Sequence, residues 1–232
     1  IENAGIKNDS IDEVIMGNVL SAGQGQAPAR QASFNAGLSD NVPAVTLNKM
    51  CGSGLKSVIY AHDQIKAGTS ELIAAGGMES MTNAPYLSPK MRAGARVGHQ
   101  QMYDHMFLDG LEDAYEPGRL MGTYAEDTAE LFQFTREQQD EYAIGSLNNA
   151  LNAQKTNAFE KEISPLTIKT RKGEITIKDD EQPKNAQPEK IPNLKPAFKK
   201  DGTVTAANSS SISDGAAALL ISSEERAGEL SL

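Results

Sequence analysis

Over the first eighty residues, short apolar runs alternate with stretches of helical spacing. Residues 12–20 (Asp12-Glu13-Val14-Ile15-Met16-Gly17-Asn18-Val19-Leu20) are continuously apolar at their centre and are closed by Ser21-Ala22-Gly23-Gln24-Gly25. That pattern predicts a buried strand ending in a turn. Pro28 suits a first helical turn, so a helix is expected through Ala36 with Gly37 as its stop. A second extended run, residues 42–47, predicts a strand over 43–47. After it Leu55, Val58, Ile59 and Ile65 recur at roughly helical spacing, and Gly68 stands where a C-terminal cap belongs. Residues 72–75 read as a third strand, running into Gly76-Gly77-Met78-Glu79, where paired glycines read first as a tight turn. Strands alternating with short helices predict an α/β fold, a parallel sheet covered by helices, with ligands gathering at the carboxyl ends of the strands.

From Thr82 the pattern loses its period. Pro85, Pro89, Gly94, Gly98, Gly110, Pro117 and Gly118 punctuate a stretch expected to be mostly loop. Thr123-Tyr124-Ala125-Glu126 and Thr135-Arg136-Glu137-Gln138 both have the spacing of a capping box, so helices are expected to start near those threonines, the second reaching about Gln154. The acidic positions Glu126, Asp127 and Glu130 read as a solvated face of a first turn. Residues 166–170 and 174–178 alternate around Lys172-Gly173, a β-hairpin. Residues 182–196, rich in proline and lysine, read as an extended basic linker. It is either an ordinary solvated loop or a resting place for an anion. A serine-dense stretch (Ser209, Ser210, Ser211, Ser213) precedes an apolar strand ending at Ile221, and Ser222-Ser223-Glu224-Glu225 opens a last helix.

Totals narrow the classes. The 232-residue chain can bury a substantial core, as one large domain or two smaller ones. A formal net charge of −9 argues against a nucleic-acid or acidic-membrane binder. One cysteine excludes an intramolecular disulfide and suits a reducing compartment. No apolar run approaches membrane-spanning length and no targeting pattern opens the chain, so a cytoplasmic location is expected. The opening residues read as the tail of a helix stopped at Gly5, which makes a longer parent protein the expectation.

Cys51 is the most informative position. It sits where the second strand turns into the next helix, in Asn48-Lys49-Met50-Cys51-Gly52-Ser53-Gly54. The unpaired N–H groups and positive dipole end of a helix favour a thiolate there, and Gly52 and Gly54 clear space for a substrate carbonyl. A lone cysteine is also commonly an inert core residue, so the surroundings alone leave a nucleophile and a structural thiol both open. His62 lies three turns along the same helix, too far to act as its base. His99 and His105 read as loop or surface histidines. With no matching Cys, Asp or Glu cluster, no metal site is expected.

Taken together, several stretches resemble the thiolase family, and most of all its acetyl-CoA acetyltransferase branch. They are Glu13-Val14-Ile15-Met16-Gly17-Asn18-Val19, Gln26-Ala27-Pro28-Ala29-Arg30-Gln31, Asn48 through Gly54, Ala74-Ala75-Gly76-Gly77-Met78-Glu79-Ser80-Met81, Met121-Gly122-Thr123 with Ala125-Glu126, and Gly202-Thr203-Val204-Thr205-Ala206 through Asp214-Gly215-Ala216-Ala217. They follow the family's order along nearly the whole chain. The resemblance implies an N-terminal core half, a mixed sheet covered by helices, over residues 1–81 and 213–232. It also implies an inserted loop domain over 82–212 that holds coenzyme A.

It further implies that Cys51 is the nucleophile, attacking the thioester carbonyl of an acyl-CoA and releasing coenzyme A. A second acetyl-CoA, deprotonated at its methyl carbon, then attacks the acyl-cysteine to give a 3-ketoacyl-CoA, and the same residues run the reverse thiolysis. The Cys51 N–H is implied as an oxyanion donor in the second half-reaction. Leu111, Met121, Phe198, Ala206, Ser210 and Ile212 match positions along the family's acyl-CoA path. Ser210 is implied to hydrogen-bond the pantetheine chain. No cofactor is called for, because the coenzyme A thioester is the substrate. A homodimer or homotetramer through the core sheet is expected.

Two departures stand out. Leu120 occupies the position before Met121-Gly122 where biosynthetic members carry histidine. This leaves room for a degradative 3-ketoacyl-CoA thiolase of longer chain length. The family's Gly-His-Pro histidine, Asn-Glu motif and second cysteine have no counterpart in these residues, so negligible turnover is expected of residues 1–232 alone. A non-catalytic, thiolase-like acyl-CoA binder with a structural Cys51 is the reading from another class.

Overall fold

The computed structural model describes residues 1–232, the side chain of Glu2 excepted. In chain order the elements are β1 (Glu13–Gly17), α1 (Pro28–Asn35), β2 (Ala44–Leu47), α2 (Ser53–Ala67) and β3 (Leu72–Ser80). The two-residue strands β4 (Tyr86–Leu87) and β5 (Tyr103–Asp104) follow, then α3 (Met121–Leu131), α4 (Arg136–Lys155), β6 (Leu166–Thr170) and β7 (Gly173–Ile177). The last are α5 (Glu181–Asn185), β8 (Asp214–Ser222) and α6 (Glu224–Glu229). By contacts the chain divides into two compact units, one of Ile1–Gly118 with Ile212–Leu232, the other Arg119–Ser211. Of the excursion expected over 82–212, residues 82–118 therefore group with the sheet.

In the first unit the sheet order is β2-β1-β3-β8. β1 runs parallel to β2 and β3, as the alternation of strands and helices dictates, while β8 is antiparallel to β3. The sheet is thus mixed. Side chains alternate across it. Val14, Met16 and Leu72 pack to one face with Ala29 of α1 and with Leu38 and Val42, while Ile15, Ile73 and Ala75 pack to the other with Ala61 of α2. Because both faces are covered, β1 reads as one apolar run. Fully burying Ile15, Leu72 and Ile73 contributes about 1.5–3 kcal/mol for each side chain.

Strand β3 continues through Gly76 and Gly77, so the tight-turn expectation is overturned. The cause is the ladder to β8, paired without a break from Leu72↔Ser222 to Ser80↔Asp214. A Cβ on Gly76 would overlap the Ala217 carbonyl oxygen, so glycine is what permits the close approach. At the far end of the ladder the Thr82 N–H donates to Asp214 Oδ1 at 3.0 Å. That backbone hydrogen bond, the largest influence, holds the Asp214 carboxyl below the usual aspartate range.

His105, expected on a loop surface, is buried. The Ala22 N–H donates to its Nε2 at 3.3 Å, and its Nδ1 lies 2.7 Å from Asp109 Oδ2, which places the ring proton on Nδ1. The reason is local order that the glycines and prolines conceal: β5 pairs with β4, the His105 N–H donates to the Pro85 carbonyl, and Phe107–Leu111 forms a π-helical turn.

In the second unit the Thr135 capping box forms, with Thr135 Oγ1 accepting from the Gln138 N–H and the Gln138 side chain accepting from the Thr135 N–H. The Thr123 box does not. Helix α3 begins at Met121 with Leu120 as its N-cap, and Thr123 Oγ1 donates to the Leu120 carbonyl at 2.7 Å. Glu126 is instead 4 % exposed and accepts from the N–H groups of Thr203 and Val204, each at 2.9 Å, so the solvated-face expectation fails at this residue. Glu130 does face water, where the hydrogen bond from Lys199 Nζ (2.7 Å) depresses its carboxyl.

Hairpin β6–β7 forms as expected, in the register Leu166↔Ile177 to Thr170↔Gly173. Residues 182–196 are not an extended linker. They contain most of α5 and a 3-10 stretch, Pro188–Asn193, whose Ile191 is buried and whose Ile191 carbonyl accepts from Arg136 Nη2 at 2.9 Å. Arg136 Nε also donates to the buried Asp140, which accepts from Asn208 as well. The last helix, α6, opens as expected within 222–225, capped by Ser223, whose hydroxyl accepts from the Arg226 N–H at 3.1 Å.

Candidate active site

Cys51 lies two residues before the first residue of α2, in the connection that β2 feeds. The connection is shaped by its own polar groups. Asn48 Oδ1 accepts from the Met50 N–H at 2.9 Å, and Met50 takes a left-handed φ of 49°, rare for a residue with a side chain. Ser53 Oγ accepts from the Lys49 N–H (2.8 Å) and donates to the Met50 carbonyl (2.6 Å). Gly52 is the N-cap of α2 and offers no side-chain cap. At the other end Gly68, with φ 71°, closes the helix as expected.

Glycines let α2 press on the sheet. A Cβ on Gly17, the last residue of β1, would come within 2.5 Å of the Ser53 carbonyl carbon. One on Gly77 would lie 3.3 Å from Gly54 Cα. The close approach is thus permitted by the missing side chains of Gly17 and Gly77, while a Cβ on Gly54 would meet nothing nearer than 4.0 Å. Ser57, fully buried, fastens the same contact by hydrogen bonding to the Gly76 carbonyl at 2.7 Å.

Cys51 itself is exposed. It opens onto a cleft of about 380 Å³ lined by the ends of three strands and the start of α2, among them Gly17, Val19, Met50, Gly77, Glu79 and Ala217. The expected convergence of Cys51 and the Gly76-Gly77 segment at one end of the sheet is present, and the start of β8 joins them. Neither the reading by composition nor by spacing singles out Glu79, Asn18 or Asn48. Their signal is positional, since each stands at or just past the end of one of the three parallel strands. The cleft lining includes no histidine among the described residues. His62 is exposed and paired with its neighbour Asp63. No cluster of three or more His, Cys, Asp or Glu side chains is arranged to hold a metal among the described residues. No helix there is long and apolar enough to cross a membrane.

The other site candidates fall in both units. Leu111 ends the π-helical turn, half-buried, and Ile212 is exposed ahead of β8; both belong with the sheet. Met121, Phe198, Ala206 and Ser210 belong to the second unit. There the Phe198 ring packs on Gly122, beside Met121, so tightly that a Cβ on Gly122 has no room. Ala206 is exposed, and Ser210 lines an open groove of about 760 Å³ with Phe134, Tyr142 and Ser146. The structure brings Phe198 and the Met121-Gly122 turn together; Ser210 belongs to a separate groove of the same unit.

Comparison with known proteins identifies what this arrangement is similar to. The family model described as the thiolase N-terminal domain matches residues 1–225. A Staphylococcus aureus (strain COL) protein named "Probable acetyl-CoA acyltransferase" is 48% identical over 234 residues, which covers 100% of this chain and 59% of that protein. Among solved structures, the Acat5 thiolase from Ascaris suum in complex with coenzyme A matches with a TM-score of 0.90 and 42% identity. The Bacillus anthracis acetyl-CoA acetyltransferase matches with 0.92 and 39%. Each covers 98% of this chain, while the chain covers 58% of each of them. The chain therefore spans under three-fifths of the length of these relatives.

Proposed function

The chain belongs to the thiolase family, and from that premise we propose that it carries the acyl-accepting half of an acyltransferase acting on coenzyme A thioesters. The thiolate of Cys51 attacks the thioester carbonyl carbon, a carbon–sulfur bond to Cys51 forms, and the bond to coenzyme A breaks with the coenzyme leaving as its thiolate. The acetyl-cysteine is then attacked by the deprotonated methyl carbon of a second acetyl-CoA; the new carbon–carbon bond forms as the carbon–sulfur bond to Cys51 breaks, which gives acetoacetyl-CoA and restores the Cys51 thiolate. The observation that carries this reading is the exposure of the chain's single cysteine at a cleft formed by strand ends and a helix start. No cofactor enters the scheme. Leu111, Met121, Phe198, Ala206, Ser210 and Ile212 are assigned to the acyl-CoA path, and the acting form is assigned as a homodimer or homotetramer.

The first test is intact-mass and peptide analysis of the protein, at its natural length, quenched after mixing with acetyl-CoA. One acetyl group on Cys51, absent from Cys51→Ser, is expected; an unmodified wild-type protein refutes the proposal. As the resemblance to the family implies, the base that deprotonates the second substrate is assigned outside these residues, and residues 1–232 alone are expected to give negligible thiolysis. Leu120, standing where biosynthetic members carry histidine, favours a second reading, a degradative 3-ketoacyl-CoA thiolase. Turnover rising with acyl length across a 3-ketoacyl-CoA series supports that reading over the acetoacetyl-CoA one.

A further inference from the structure

Two polar side chains outside the proposed chemistry hold backbone beside Cys51, Glu79 the 18–20 segment and Asn48 the Met50 N–H. The Glu79 carboxylate, at the end of β3, accepts from the Val19 N–H through Oε2 at 2.9 Å. Its Oε1 accepts from the Leu20 N–H at 2.9 Å and from Asn18 Nδ2 at 3.1 Å. Asn18, itself buried, also donates to the Met78 carbonyl at 2.9 Å. Three donors on one carboxylate fix residues 18–20, and with them the wall that Val19 gives the cleft. The wall then meets the connection to α2, where Asn48 Nδ2 faces the Val19 carbonyl at 3.5 Å while Asn48 Oδ1 holds the Met50 N–H at 2.9 Å. Met50 is the residue held at positive φ, directly before Cys51. Left-handed backbone at a side-chain-bearing residue persists only where its surroundings over-determine it. Here the over-determination is the Asn48 acceptor on its N–H and the Ser53 hydroxyl on its carbonyl.

We propose that Glu79 and Asn48 are positioning residues. Through Val19 and the strained Met50 they set the direction in which the Cys51 thiol enters the cleft, so they govern acyl transfer without touching the acyl group. This deepens the acyltransferase reading and rests on it. The chemistry asks for such a device, because a misplacement of about 1 Å at a reacting atom costs on the order of a hundredfold in rate.

The test uses Glu79→Gln and Asn48→Asp in the protein at its natural length. In Glu79→Gln the remaining oxygen still accepts from Leu20 and Asn18 while an NH2 group confronts the Val19 N–H. In Asn48→Asp the acceptor for Met50 is kept and the donor to Val19 is lost. Single-turnover acetylation of Cys51 by acetyl-CoA is expected to slow about tenfold in each variant. The acetyl-CoA concentration giving half-maximal rate, the melting temperature and the rate of alkylation by iodoacetamide, a small reagent indifferent to aim, should stay near wild type. A folded variant that is acetylated at the wild-type rate overturns the inference. So does alkylation slowed by the same factor, which would mean an altered thiol rather than an altered direction. Melting of both variants far below wild type assigns the pair a structural role and equally overturns it. A wild-type protein that takes up no acetyl group brings down the acyltransferase reading first, and this inference with it.

Discussion

At Gly17 a single missing methyl decides how close α2 can come to the sheet. The Cβ of an alanine there would fall 2.5 Å from the Ser53 carbonyl carbon, inside the first turn that follows Cys51. Gly17→Ala is therefore expected to push that turn outward and lower stability by about 1–3 kcal/mol, read as a lower urea midpoint. An unchanged midpoint would show that the turn gives way freely. Cys51 was legible from the chain because it is unique and follows a strand-to-helix change of period. Glu79 was not, because its three donors come from residues about sixty positions away, and no local period reports a contact of that range. His105 escaped for a related reason, since its partner Ala22 lies on a distant turn.

At the scale of elements, the two capping boxes show what a short pattern can and cannot determine. Thr135 and Gln138 satisfy each other, and Thr135→Ala is expected to cost about 1 kcal/mol in a thermal melt. In the Thr123 segment the same spacing is present, yet Glu126 lies within the helix and faces the 202–204 turn, where backbone donors outcompete its own N-terminus. Glu126→Ala leaves the Thr203 and Val204 N–H groups without their acceptor in a buried setting, a loss of about 1–3 kcal/mol for each. Faster hydrogen exchange at those two amides is the specific sign; exchange at the wild-type rate would mean another group satisfies them. Strands β2, β6 and β7 were read to within a residue, whereas β3 runs five residues past its expected end and the short β4 and β5 were hidden among glycines and prolines. Gly76-Gly77 was misread because a glycine pair carries one signal for a turn and for a close neighbouring backbone, and only the partner strand separates them.

For the molecule as a whole, the chain leaves the sheet after β3 and regains it at β8, and the Thr82–Asp214 hydrogen bond ties those two points together across 132 residues. The folded Asp214 carboxyl is held below its ordinary range, chiefly by the Thr82 N–H. Its contribution is thus complete above the range where an unfolded aspartate titrates, and it is lost as pH falls through the lower folded value. The step is small because the carboxylate stands in water. Asp214→Asn is expected to flatten this acid limb of a urea-midpoint profile and leave the neutral side parallel to wild type. The two-unit division was only partly readable. The glycines and prolines of 82–118 gave the look of an excursion, whereas β4, β5 and the buried His105 attach that stretch to the sheet's own unit.

Strand β8 has β3 along one side and no strand along the other among the described residues, and its run from Ala216 to Ile221 carries no charge. Nine residues of extended backbone therefore present a row of donors and acceptors to whatever arrives, including the same strand of another molecule. Preparations of residues 1–232 should consequently be cohesive, sedimenting faster as concentration rises. A gatekeeping charge at the exposed Leu219, as Leu219→Lys, should keep them apart. How the polypeptide is handled at the bench is, in this sense, dictated by one unzipped margin.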